Sequence, residues 1–214
     1  MNEELANDKV LSPNIFSYFE ILDGVLRYAM KDYRRLFVVR LDLRFPQRLA
    51  SDQIPGNEVM ARFIKSLRSK IKHQRERARK KGVRAHSTDV RFVWVREFGE
   101  TNNRPHYHVM LVVNRDAYRS LGKYDSDHDN LARCIKGAWA AALNVDVATY
   151  AGLVNFSRNG QYEIINGNGY QGVLTAMLYL CKGYSKVRDG ARNIGYSLAR
   201  VDLLTHACSI QCLH

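Results

Sequence analysis

Arg104-Pro-His-Tyr-His-Val-Met-Leu-Val-Val113 places two histidines at i and i+2 and then runs on through apolar, β-branched residues. That run predicts a strand, and side chains two apart in a strand point to the same face. His106 and His108 would therefore stand side by side, spaced to hold one metal ion. Pro105 suits the first position of a strand, where no ladder donor is yet needed. Upstream, residues 89–98 alternate, with Phe92, Trp94, Arg96 and Phe98 on one face and Val93, Val95 and Glu97 on the other. The short loop from Gly99 to Pro105 predicts an antiparallel hairpin. Glu97, near the end of its first arm, would then reach both imidazoles. Glu100 in the loop and Asp42 on an earlier strand are rival third ligands. Two histidines and one carboxylate leave coordination positions open for substrate oxygens.

Working outward, residues 14–31 suit a helix and 36–45 a strand. A long basic helix is predicted over 58–81, with Asn57 as N-cap and Gly82 as its stop. Residues 130–144 form an amphipathic helix carrying Trp139. Residues 153–166 read as a second hairpin turning at Asn159-Gly160, because Asn-Gly is a strong hairpin signal. A last helix spans about 171–186. The expected fold is α+β: an RRM-like or palm-like central antiparallel sheet of about five strands, with helices packed mainly on one face. Residues 1–32 form an N-terminal helical segment packing on the core, 33–200 the main domain and 201–214 a tail.

The chain has 214 residues, 46% of them hydrophobic, and a formal net charge of +12. Such a balance favours an anionic partner. The charge is concentrated between Arg62 and Lys81, where Glu76 is the one offsetting acid, so pairing along the helix cannot account for it. Arg68, Lys72, Arg75 and Arg79 are the expected phosphate contacts. The helix's apolar residues, Met60, Phe63, Ile64, Leu67 and Ile71, should face the sheet. Four cysteines lack the density of a secreted disulfide scaffold. The first residues are acidic and polar, and no apolar stretch approaches a membrane span. A cytoplasmic protein with no membrane partner is expected. The tail from His206 to His214 offers a second cluster of Cys and His, at a spacing unlike a standard zinc finger.

On the last helix, Val173, Leu174, Met177, Cys181 and Tyr184 fall on one side, whereas Tyr179, Lys182 and Lys186 share the opposite one. Nearby cations favour phenolate. Tyr179 is thus the candidate nucleophile for attack on a phosphodiester, with Lys182 beside it and Lys186 on the DNA.

These residues resemble the HUH endonuclease superfamily. Arg104-Pro-His-Tyr-His-Val-Met-Leu111 is similar to its histidine-hydrophobic-histidine motif, Tyr179-Leu-Cys-Lys182 to its Y-x-x-K motif, and Phe37 to Pro46 to its first structural strand. More narrowly, the first strand, Val95 to Glu100 and Pro105 to His108 resemble the inovirus-type (YagK/YfjJ-type) replication proteins of phages and prophages. The resemblance implies a rolling-circle replication initiator with Mg²⁺ or Mn²⁺ as cofactor, nicking single-stranded origin DNA through a 5′-phosphotyrosine intermediate. It also implies one catalytic tyrosine and a host helicase and replication machinery as partners, since the chain has no P-loop. A transposase or relaxase would use the same chemistry. A non-catalytic RRM-like DNA- or RNA-binding protein is the other reading.

Overall fold

The structure, a computed structural model, describes residues 13–99, 103–124, 129–146, 152–178 and 192–197. Five strands form one antiparallel sheet in the order β4-β1-β3-β2-β5. They are β1 (Arg35–Arg44), β2 (Arg91–Phe98), β3 (Pro105–Asn114), β4 (Val154–Ile165) and β5 (Ile194–Tyr196). The α-helices among the described residues are α1 (Pro13–Asp32), α2 (Glu58–Lys80), α3 (Leu131–Leu143) and α4 (Tyr170–Leu178). From β1 to β4 the chain runs β1-α2-β2-β3-α3-β4 with spatial order 4-1-3-2, the split βαβ plait of RRM-like domains.

Period-2 patterning explains why the sheet has two cores. Phe37, Val39, Leu41 and Leu43 of β1 and Tyr107, Val109, Leu111 and Val113 of β3 face α2 and α3, building the larger core around Trp139. The apolar stripe of α2 enters it as expected, with Met60, Phe63, Ile64, Leu67 and Ile71 all buried. The alternate residues Leu36, Val38, Val93, Val95, Met110 and Val112 meet a smaller layer made by α1 and α4, including Val173, Leu174 and Met177. On this second face, polarity changes along the strands. Each strand is apolar beneath α1 and α4, then becomes polar: Arg40 and Asp42 on β1, Glu97 on β2, His108 and His106 on β3. That polar end of the sheet is where the candidate site lies.

Three local expectations need correction. The segment 153–166 is not a hairpin. It is a single strand paired to β1, with a shift in register between Val39↔Gln161 and Leu41↔Phe156. Extra residues around Asn159-Gly160 are thus taken up as a bulge, which interrupts a ladder without reversing the chain. Gly160 is required there, because a Cβ would fall 2.7 Å from the Arg40 carbonyl oxygen. Asn57 does precede α2 but its side chain caps nothing. It accepts from the Tyr107 hydroxyl and donates to the Arg192 carbonyl. Strands β1 and β2 also start and stop slightly inside their expected limits. Gly82 ends α2 as predicted, at φ 72°, and the Val83 N–H reaches back to the Ala78 carbonyl at 3.0 Å, the closing bond of a Schellman motif.

Candidate metal centre

The β2–β3 hairpin forms as the alternation predicts, and its register sets the site. Glu97 lies opposite His106, and Val95 opposite His108. On the other flank, Asp42 of β1 lies opposite His108, and Asn155 of β4 opposite Asp42. Four neighbouring strands thus deliver one polar row to one face. His106 Nε2 and His108 Nε2 are 3.1 Å apart. His108 Nε2 is also 3.1 Å from Glu97 Oε2. One ligand atom from each of the three residues lies within 4.8 Å of the other two. Donors that share an ion at about 2.1 Å on perpendicular axes sit about 3.0 Å apart. The spacing therefore fits a common cation, with the two facing ring nitrogens and the carboxylate aimed at one point.

Asp42 stands behind this trio. Its Oδ1 is 2.7 Å from His108 Nδ1, and its Oδ2 accepts from Asn155 Nδ2 at 3.1 Å. A carboxylate on Nδ1 fixes the imidazole and leaves Nε2 as the ligating nitrogen. Among the three carboxylates weighed as third ligand, Glu97 reaches the histidine Nε2 atoms, Asp42 takes the position behind His108, and Glu100 lies outside the described residues.

The electrostatics follow from this packing. Burial alone would lower the His108 pKa, but its hydrogen bonds and attraction to Asp42 and Glu97 outweigh that and raise it to about 9. Burial, reinforced by the neighbouring His108 charge, lowers that of His106. Burial works to raise the Asp42 pKa, yet the hydrogen bond and charge of His108 bring it below the ordinary value. In the metal-free protein, then, a proton on His108 answers the two carboxylates near neutral pH. A metal must displace that proton from Nε2. Mn²⁺ binding at pH 7 should release about one proton, and affinity should rise about tenfold per pH unit until it levels near pH 9. Calorimetry in buffers of different ionisation enthalpy reads this directly. An affinity flat from pH 6 to 9 would remove His108 from the ligand set.

Arg44 escaped the sequence reading as a site residue, though strand parity alone places it two positions beyond Asp42. It lies opposite His106 and is exposed. Its backbone is pinned by an N–H bond to Leu153 O and by the Trp139 indole N–H on its carbonyl, both 2.8 Å. Among the described residues it has no carboxylate partner. Asn155, the residue that steadies Asp42, was likewise not foreseen, because β4 was read in the wrong register.

The expected phosphate contacts all sit on α2, across the sheet from the histidines. Lys72 is exposed, 4.0 Å from Glu76. Arg79 donates to Ala85 O at 3.3 Å. Arg68 donates to Val90 O at 2.9 Å and pairs with Asp89 at 3.1 Å. Arg75 donates to Ala117 O at 2.8 Å and lies 4.9 Å over the Tyr118 ring. Those ties give Arg75 a structural task. Arg75→Ala should cost about 1–2 kcal/mol of stability, read by urea unfolding, from one hydrogen bond and one cation–π contact. An unchanged midpoint would show that both contacts are idle. Tyr179, Lys182 and Lys186 lie outside the described residues, as does the Cys/His tail. Helix α4 is described to Leu178, the residue before Tyr179.

Residues 5–197 match the YagK/YfjJ C-terminal domain family, so the chain belongs to that family. It is 36% identical to the uncharacterized protein YagK of Escherichia coli K12 over 86% of this chain and 93% of that one. It is 28% identical to the uncharacterized protein YfjJ of the same organism, over 90% and 99% respectively. A solved structure, the N-terminal nuclease domain of the minute virus of mice non-structural protein 1, is similar over 84% of this chain and 89% of that chain. The identity is 16% and the TM-score 0.35, a likeness too small to carry an argument.

Proposed function

We propose that this member of the YagK/YfjJ C-terminal domain family is a metal-dependent, single-stranded DNA endonuclease and strand transferase of the HUH type, serving to initiate rolling-circle replication. The observation that carries this reading is the convergence of His106, His108 and Glu97, with Asp42 fixing His108, at the polar end of an RRM-like sheet. A pure binding domain has no use for three metal-ligand atoms aimed at one point, so the non-catalytic reading is the weaker one. The net charge of +12 suits a polyanionic substrate.

In this reading His106, His108 and Glu97 hold Mg²⁺ or Mn²⁺. The bound ion polarises a non-bridging oxygen of the scissile phosphate and orients it. Arg44, on the same face and carrying a free charge, contacts that phosphate. The Tyr179 oxygen, relieved of its proton beside Lys182, attacks phosphorus. The tyrosine O–P bond forms as the P–O3′ bond breaks, leaving a 3′-hydroxyl and a 5′-phosphotyrosine. Attack by a 3′-hydroxyl on that ester reverses the step and rejoins the strand. Unwinding would fall to a host helicase.

The test is cleavage of end-labelled single-stranded DNA with and without Mn²⁺. Cleavage should require the ion. Arg44→Ala should lower the cleavage rate about 10- to 100-fold, the worth of one charge-assisted hydrogen bond. Cleavage that survives EDTA would reject the metal reading, and an unaltered rate would take Arg44 off the phosphate.

A further inference from the structure

On the face opposite the histidines, α2 and the β2–β5 edge enclose a cavity of about 500 Å³. This lies within the usual range of small-molecule sites, roughly 300–1,000 Å³. Phe92 and Trp94 of β2 line one side, and Ala61, Ile64, Lys65 and Arg68 of α2 the other. No carboxylate is among its lining residues. Arg68 is held at the rim by Val90 O and Asp89, whereas Lys65 is exposed and has no carboxylate partner among the described residues.

The edge strand is shaped to this cavity. Gly195 lies opposite Trp94, and a Cβ there would fall 2.3 Å from the indole. Only glycine lets the β5 backbone lie against the ring. The side chain of Asn57 ties the approach to β5 back to the start of α2, through the Arg192 carbonyl. The result is a groove with an aromatic wall and cations without acids at its rim. Flat apolar surface beside positive charge is the combination that single-stranded nucleic acid requires, because a base stacks while its phosphate pairs.

We propose that this groove binds a nucleotide unit of single-stranded DNA, its base against Phe92 and Trp94 and its phosphate on Lys65. The proposal deepens the nuclease reading and rests on DNA as the substrate. It adds a second contact on the face away from cleavage, so that a strand held by both sites must turn around the β5 edge.

The test uses the full chain in EDTA with a fluorescein-labelled dT12 oligonucleotide, followed by anisotropy, and unlabelled dT12 followed by tryptophan emission. Trp139 is fully buried, so emission changes report Trp94. Binding should quench that emission. Lys65→Glu and Ala61→Glu, both at exposed helix positions, should weaken binding about tenfold, and Lys65→Glu should lower the salt slope by about 0.7. Lys80→Glu makes the same charge change on the same helix away from the groove and should weaken binding no more than about twofold, a change that screened general attraction explains. Equal losses at Lys65 and Lys80, binding without quenching, or no binding would each overturn the proposal. Free dTMP binding as tightly as dT12 would overturn it too, in favour of a mononucleotide. Because no metal and no cleavage are involved, a dead metal centre leaves these results untouched, and failure here leaves the nuclease reading standing.

Discussion

His106→Ala and His108→Ala are each expected to lower Mn²⁺ affinity by more than about 100-fold and to bring DNA cleavage to background. Each removes one of three ligands aimed at the same point, and no other described His, Cys, Asp or Glu takes its place. Both side chains point away from the larger core, so circular dichroism should show an intact fold. Asp42→Ala should have a graded effect, about 10- to 100-fold on affinity, because it leaves the ligand count intact and frees only the His108 ring. Asp42→Asn should fall between, since an amide oxygen still accepts from Nδ1. If Asp42→Ala matched the histidine variants in full, Asp42 would be a ligand itself. If both histidine variants bound Mn²⁺ normally, the centre would not be a metal site.

Tyr179→Phe is expected to abolish covalent capture of DNA completely while leaving Mn²⁺ affinity and DNA binding in EDTA unchanged. Loss of a single oxygen removes the nucleophile and nothing else. Tyr184→Phe should retain capture, because Tyr184 falls on the apolar side of the helical pattern with Val173, Leu174 and Met177, three residues that are buried. Capture surviving in Tyr179→Phe and lost in Tyr184→Phe would exchange the two assignments.

Much of this site was legible because strand parity is a short-range rule. Once residues 92–98 and 106–113 are read as the arms of one hairpin, the pairing of Glu97 with His106 follows from the loop between them. The apolar stripe of α2 was legible for a similar reason, as 3.6-residue periodicity needs no partner to be seen. What the chain concealed depends on long-range pairing. Asn159-Gly160 carries the local chemistry of a hairpin turn, but continuous pairing with β1 turns it into a bulge. That outcome also places Asn155 beside Asp42. Asp42 itself looked like a partner for Arg40 or Arg44, since neighbours in sequence are the only ones a sequence displays. Its true partner, His108, is brought to it by the β1–β3 ladder. The cations of α2 were read as one phosphate-binding set, yet Arg75 is engaged by the Ala117 carbonyl and Tyr118. Nor could periodicity reveal that α2 lies across the sheet from the histidines, because handedness and layer are set by the whole plait.

The central claim is metal-dependent transfer of a DNA strand to a tyrosine, and covalent labelling tests it most directly. The protein is incubated with a 3′-labelled pool of single-stranded DNA, with Mn²⁺ or with EDTA, then denatured, digested and mapped by mass spectrometry. The account predicts label that survives denaturation only in the Mn²⁺ sample, on the peptide containing Tyr179. Label that persists in EDTA, or a Mn²⁺-saturated protein that cleaves the DNA without ever carrying it, would contradict the account.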